Sequence, residues 1–252
     1  MLVDTSAIIL KTIPFRESSL IVTLLSKEHG KIAVMARGAR RHKNKFGGLL
    51  QPGFILDVTY YYKPTRDVQN IGEVVQQKAT WRIHEQMEKM AVAMVTLELC
   101  EQLCHEHEPM PEIFDFLAEF LPWLHATEFS PKNLFPYIQF RLAQLTGIGI
   151  FEDSGNAAPA GNDPDGMSGC YLNVESGNLS PNPAGGLHFR LTKSQYRYLR
   201  CILDGRKAEL LTDTFPVGDI RNMIHHMDVY LQYHMEGLKA RRSDSIFQQI
   251  LN

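Results

Sequence analysis

The chain has 252 residues, 44% of them apolar, and four cysteines. That length can bury a substantial core in one large domain or two modest ones, and the scattered thiols (Cys100, Cys104, Cys170, Cys201) are too few for a disulfide scaffold. The net charge of −2 conceals a split: residues 1–80 hold 12 Lys and Arg against 6 Asp and Glu, while the remainder holds 14 against 22. A basic N-terminal module that meets a polyanion, attached to an acidic body, is what such a split suggests.

The opening MLVDTSAIIL has an acid where a signal peptide needs basic residues, and no later stretch approaches the roughly 20 apolar residues of a membrane span. A cytoplasmic location, reduced thiols and no membrane partner are therefore expected.

The first eighty positions contain five short runs rich in Ile, Val, Thr and aromatic residues, at 6–13, 20–26, 31–37, 54–62 and 68–76. Turn signals separate them: Pro14, Glu28-His29-Gly30, Gly38, Gly47-Gly48, Pro52-Gly53 and Pro64. Five strands without an intervening ten-residue helical pattern predict a small closed barrel or a sandwich, and the barrel is preferred because closure leaves few edges exposed. Apolar residues occupy both parities, Ile8 and Leu10 on one side, Ala7 and Ile9 on the other. One side fills the barrel while the other packs on a second lobe.

From Trp81 the apolar period becomes helical. Residues 81–106 carry Ile83, Met87, Met90, Met94 and Leu97 on one stripe and Val92, Val95, Leu99 and Leu103 on another, without Gly or Pro, which predicts a long, largely buried helix ended by Pro109 and Pro111. Residues 112–125 predict a second helix. Ser130 as N-cap and Pro131 at the first helical position open a third, closed by Gly147. Residues 151–187 are dense in Gly, Pro, Asn, Asp and Ser and read as a long irregular excursion, with room for a small hairpin near 170–174. Helical spacing resumes over 192–203 and from 217 to about 242. The expected architecture is α+β and multidomain: a five-stranded barrel over residues 1–80 and an all-helical domain over 81–252, interrupted by the irregular stretch.

The sharpest local feature is Arg37-Gly38-Ala39-Arg40-Arg41-His42-Lys43-Asn44-Lys45-Phe46-Gly47-Gly48, with five formal positive charges in nine residues. Such charges repel one another unless solvent or a polyanion screens them. On charge alone the segment is either a solvated basic loop or a phosphate-binding one. Its place in a barrel favours the second, because barrel loops and one sheet face are where OB-folds hold single strands. Phe46, Phe54, Tyr60 and Tyr62 either supply stacking platforms there or fill the core, and core packing is preferred for any one of them.

Other constellations are weaker. Cys100 and Cys104 are four apart on a helix, but Cys104 and His105 point about 100° apart, so buried helix cysteines account for them better than zinc does. Asn162-Asp163-Pro164-Asp165-Gly166 begins like a calcium loop, yet the required Gly and final Glu fall on Ser168 and Val174. No GxxxxGK[ST], GxGxxG, GxSxG or HExxH occurs, so nothing hydrolyses a nucleotide by motif and no catalytic residue is expected. His225, His226 and His234 lack a neighbouring nucleophile.

The text TSAIILKTIPFRESSLIVTLLSKEHGKIAVMARGARR, followed by FGGLLQPGFILDVTYYY, resembles the opening of the bacterial RecO family. The matching segments are Glu17 to Thr23, Gly30-Lys31, Arg37 to Arg41 and Leu49 to Pro52, and YLQYHMEGLKARR at 230–242 is similar to the family's closing helix with its basic tail. The resemblance implies an OB-fold joined to a helical lobe. It implies a non-enzymatic recombination mediator in DNA repair that binds single- and double-stranded DNA and anneals complementary strands. Its implied partners are RecR, the C-terminal tail of single-stranded DNA-binding protein and, indirectly, RecA. It assigns DNA contact to Arg37, Arg40, Arg41, Lys43 and Lys45, with Lys11, Arg16 and Lys31 as further candidates.

Many family members carry a four-cysteine zinc site in the region corresponding to 151–187, where this chain has only Cys170. A zinc-free variant with no cofactor is therefore expected. A generic single-stranded nucleic-acid-binding OB protein without mediator activity is the competing reading. An enzyme with a pocket lined by His84, Cys104 and His105 is the more distant one. Lys132 and Arg141, read as lying on the third helix, either receive an acidic tail or form a solvated face.

Overall fold

A computed structural model describes residues 1–152, 170–183 and 185–251, so the calcium-like segment at 162–166 lies outside the described residues. The first strands are β1 (Leu2–Phe15), β2 (Ser19–Ser26), β3 (Gly30–Ala36), β4 (Ile55–Tyr61) and β5 (Val68–Lys78). They close a barrel in the order β1-β2-β3-β5-β4, antiparallel except for the parallel pair β3–β5. This is the expected OB-type barrel. The register of β1 shifts between Ile9 and Lys11, a bulge that bends the strand so that its first half pairs β4 and its second half pairs β2.

The barrel interior contains Ala7, Ile9, Val22, Leu24, Ile32, Val34, Leu56 and Val58, together with Phe46 and Leu50 from the β3–β4 connection. Ile8 and Leu10, on the opposite parity, are also buried.

The helices in chain order are α1 (Met87–Leu103), α2 (Pro111–Ala126), α3 (Phe135–Leu145), α4 (Lys193–Leu203), α5 (Glu209–Thr212), α6 (Val217–His234) and α7 (Asp244–Ile250). The chain divides into two compact units that do not coincide with the change from strand to helix after residue 80. The first comprises Met1–Glu128 and Arg241–Ile250, the second Phe129–Ala240 with the last two residues. In the first unit α1 and α2 pack on β1, and α7 packs on α1.

Several helix limits differ from the expected ones. The 81–106 helix is a 3-10 turn at Trp81–His84 followed by α1, which stops at Leu103. Beyond it, Glu106 bridges Lys31 and the His107 N–H donates to the Lys31 carbonyl (3.0 Å), so pairing with the barrel replaces further helix. The third helix starts not at Pro131 but at Phe135, after a 3-10 turn over Lys132–Leu134, because Pro136 at the first turn sets the start. Lys132 is therefore in that turn rather than on α3. Gly147, at φ +84, closes α3 as expected. The last long helix ends at His234 rather than near residue 242, and Gly237 (φ +84) turns the chain into a segment leading to α7, which periodicity alone did not separate.

In the second unit the irregular stretch contains β6 (Phe151–Glu152), β7 (Cys170–Asn173) and β8 (Asn178–Ser180), joined by β9 (His188–Leu191) into a sheet of order β6-β8-β7-β9. The expected hairpin is β7–β8. Thr192 and Gln195 form a reciprocal capping box at the start of α4. α3 packs on α6, with the buried Gln139 amide donating to Asp228 (2.6 Å). No helix of the described residues is long and apolar enough to cross a membrane.

Candidate nucleic-acid interface

A loop dense in like charges stays ordered only if something anchors it. Here Phe46, 3% exposed, is embedded in the barrel core. The Asn44 side-chain oxygen accepts from the N–H groups of Phe46 (2.9 Å) and Gly47 (3.0 Å), forming a tight turn. The Arg40 N–H donates to the Ser18 carbonyl (2.9 Å), and its guanidinium donates to the Arg16 carbonyl (3.3 Å). The β3–β4 connection and the β1–β2 turn are thereby joined. The anchoring leaves Arg16, Arg37, Arg40, Arg41, His42 and Lys43 exposed. Lys45 is exposed too, but its ammonium donates to the Gly72 carbonyl on β5 (2.6 Å) and lies 5.1 Å from the Phe46 ring centroid.

Three further cations of the barrel have acidic or carbonyl partners on the helices. Lys11 pairs with Glu101 of α1 (3.0 Å), Lys27 pairs with Asp115 of α2 (2.8 Å), and Lys31 donates to the Glu101 carbonyl (2.7 Å). The Asp115 hydrogen bond holds the Lys27 ammonium above its ordinary pKa. Among the described residues none of Arg16, Arg37, Arg40, Arg41, Lys43 and Lys45 forms an ion pair. Of the eight candidates, the structure brings the loop cations and Arg16 together, and holds Lys11 and Lys31 at α1 instead.

A second cationic loop went unnoticed in the sequence. Buried Gln69, 1% exposed, accepts from the Lys63 N–H (2.8 Å) and donates to the carbonyls of Lys63 (3.1 Å) and Arg66 (2.6 Å). This shapes the β4–β5 loop and leaves Lys63 and Arg66 exposed. The only available signal was topological: OB-folds bind along the face of strands 2 and 3 and through the first–second and fourth–fifth strand loops.

That face has cross-strand rows. Ile13, Ile21 and Met35 form one and Lys11, Thr23 and Ala33 the next, while Ile8, Leu25 and Lys31 form a third whose Ile8 and Leu25 are fully buried. Ile13 is 44% exposed, and the rest of the first two rows is half-buried. Phe46, Phe54 and Tyr60 are buried, which makes them core residues rather than stacking platforms; burial raises the Tyr60 pKa. Tyr62 is half-buried.

The alternative pocket does not assemble. His84 Nε2 lies 2.9 Å from the Pro52 carbonyl with its ring edge-on to Phe54, His105 is exposed, and Cys104 is buried with its thiol pushed up to about 11 by burial, against the opposing pull of Lys31. Burial likewise holds the Cys100 thiol well above its ordinary value.

Residues 1–78 match the family model "Recombination protein O N terminal" and residues 84–243 match "Recombination protein O C terminal". The chain belongs to the RecO family. The DNA repair protein RecO of Salinibacter ruber is 31% identical over 252 residues, covering 99% of this chain and 94% of that protein. The RecO protein of Chloroherpeton thalassium is 25% identical over 263 residues, covering 100% of both. RecO membership makes this a DNA repair protein.

Cys170 is the one thiol between 151 and 187, and burial, followed by the charge of Glu152, pushes it up to about 11. Among the described residues no three His, Cys, Asp or Glu side chains converge as a metal site would require.

Proposed function

We propose that this chain is a non-enzymatic recombination mediator that binds DNA at the rim formed by Arg16, Arg37, Arg40, Arg41 and Lys43, extended by Lys63 and Arg66. In this reading it takes single and double strands, anneals complementary ones, cooperates with RecR and the tail of single-stranded DNA-binding protein to load RecA, and needs no zinc. The observation that carries it is the difference in pairing: rim cations are exposed and free of carboxylates among the described residues, while Lys11 and Lys27 are ion-paired to helices. Free cations release condensed counterions from a polyanion, and their work is positioning without strict sequence preference.

The test is binding of a fluorescent single strand across a salt series. Replacing Arg40, Arg41 and Lys43 by Ala is expected to weaken binding by on the order of 10- to 100-fold and to reduce the slope of log affinity against log salt by about 2. Lys63→Ala with Arg66→Ala is expected to act in the same direction, more weakly. Wild-type behaviour in the triple variant would refute the rim assignment. Annealing and RecR-binding assays separate mediator activity from generic strand binding.

A further inference from the structure

α1 ends the open part of the barrel face, and it does so with a carboxylate. Two rows of the β1–β2–β3 face are half-buried or exposed, and in the third Ile8 and Leu25 are fully buried. Lys11 occupies the second row. From Arg16 at the rim to Lys11 is five residues along β1, roughly 17 Å at the rise of an extended strand. A nucleic-acid backbone lying from the rim along the face therefore arrives at Lys11 before it meets the helix. There the ammonium is held by both oxygens of Glu101, at 3.0 and 3.3 Å. The Glu101 carbonyl also receives the Lys31 ammonium at 2.7 Å, close to the C-terminal end of α1, where the helix dipole is negative.

We propose that Glu101 is a specificity-determining residue that terminates the DNA track by engaging Lys11, which would otherwise meet the next phosphate. This rests on the reading of the rim as the DNA site. Glu101 keeps the footprint short, and the protein binds DNA less tightly than its barrel charge allows. A mediator that has to hand its strand to another protein benefits from such a limit, because a longer track lowers the rate of release.

The experiment compares the full-length chain with Lys11→Ala, Glu101→Gln, Glu101→Ala and the double variant Lys11→Ala/Glu101→Gln, using a fluorescent oligonucleotide and a salt series. Lys31 bonds to a backbone carbonyl, so neither Glu101 variant removes that contact, and thermal unfolding checks that each is folded. Lys11→Ala alone is expected to match the wild type. Both Glu101 variants are expected to bind about 3-fold more tightly, with a salt slope steeper by about 0.7, one phosphate's worth on a single strand. The double variant is expected to return to wild-type affinity. Glu112→Gln, an exposed acid of α2, measures the effect of removing one negative charge anywhere.

The proposal is overturned if the Glu101 variants gain no more than Glu112→Gln, if their gain survives Lys11→Ala, or if Lys11→Ala alone weakens binding. Parallel measurement of the rim triple variant separates the failures. If that variant loses binding while the Glu101 variants stay unchanged, only the terminating role falls; if it binds like the wild type, the DNA site itself is wrong.

Discussion

The two sides of the barrel use their cations in opposite ways. On the side covered by α1 and α2, Lys11, Lys27 and Lys31 are held by Glu101, Asp115 and a helix carbonyl; at the rim, Arg16, Arg37, Arg40, Arg41 and Lys43 are exposed. A count of positive charge along a sequence therefore overstates the charge available to a polyanion. The available charge is decided by which cations the fold leaves exposed and without an acidic partner.

The contrast depends on how each side is anchored, and it can be attacked there. The largest stability effect is expected from Phe46→Ala, which removes the ring that ties the basic connection to the barrel core. A buried aromatic lost to Ala costs about 3–5 kcal/mol, and the midpoint of denaturant unfolding should fall accordingly. DNA affinity measured on the folded fraction should fall too, since the rim loses its anchor. Unchanged affinity would mean that the loop binds as a free chain.

The covered side is tested by Gly30→Ala. Gly30 sits at φ +68, and an added Cβ would lie 2.2 Å from the Glu108 carbonyl oxygen, in the α1–α2 connection. Strain together with overpacking is expected to cost roughly 2–4 kcal/mol in denaturant unfolding, with DNA binding by the rim retained. A matching loss of DNA affinity in the folded protein would show that the two sides are not independent.

A smaller effect is expected on α1's other carboxylate. Glu98 accepts from the N–H of Arg242 (2.8 Å) and from the N–H (3.0 Å) and hydroxyl (2.6 Å) of Ser243, so it caps the start of α7. Burial pushes its pKa up, but these donors and the charge of Arg241 outweigh that and hold it below its ordinary 4.5. A depressed carboxyl contributes stability above the unfolded value and loses it as pH falls through the folded one. Glu98→Gln should therefore lower stability by about 1 kcal/mol at neutral pH, and the difference should shrink as the pH falls through the depressed folded pKa, read from denaturant midpoints across a pH series.

Much of the barrel was legible because its signals are local. Short runs rich in Ile, Val, Thr and aromatic residues, separated by turn residues, located all five strands to within a few residues, and RecO-like text surrounded the basic loop. The capping box at Thr192 was likewise written within four residues. What escaped depends on distant partners. The ion pair of Lys11 with Glu101 of α1, 90 positions away, is invisible in the sequence, and so is the hold of Glu98 on the start of α7, some 145 positions later. The Gln69 clamp on the β4–β5 loop is local but silent, because one glutamine in a strand says nothing until its amide is seen to be buried.

The membership of α7 in the first unit also has a consequence for synthesis. The second unit, Phe129–Ala240, is an insertion in the sequence of the first, and at about 5–20 residues per second a ribosome needs on the order of ten seconds to translate it. Throughout that interval the nascent barrel and its first two helices are complete except for the piece that seats Phe247 beside α1. The surface awaiting α7 is thus presented to chaperones and to neighbouring nascent chains on every round of translation, and a ribosome stalled late in the message would release a protein whose first unit lacks its final helix.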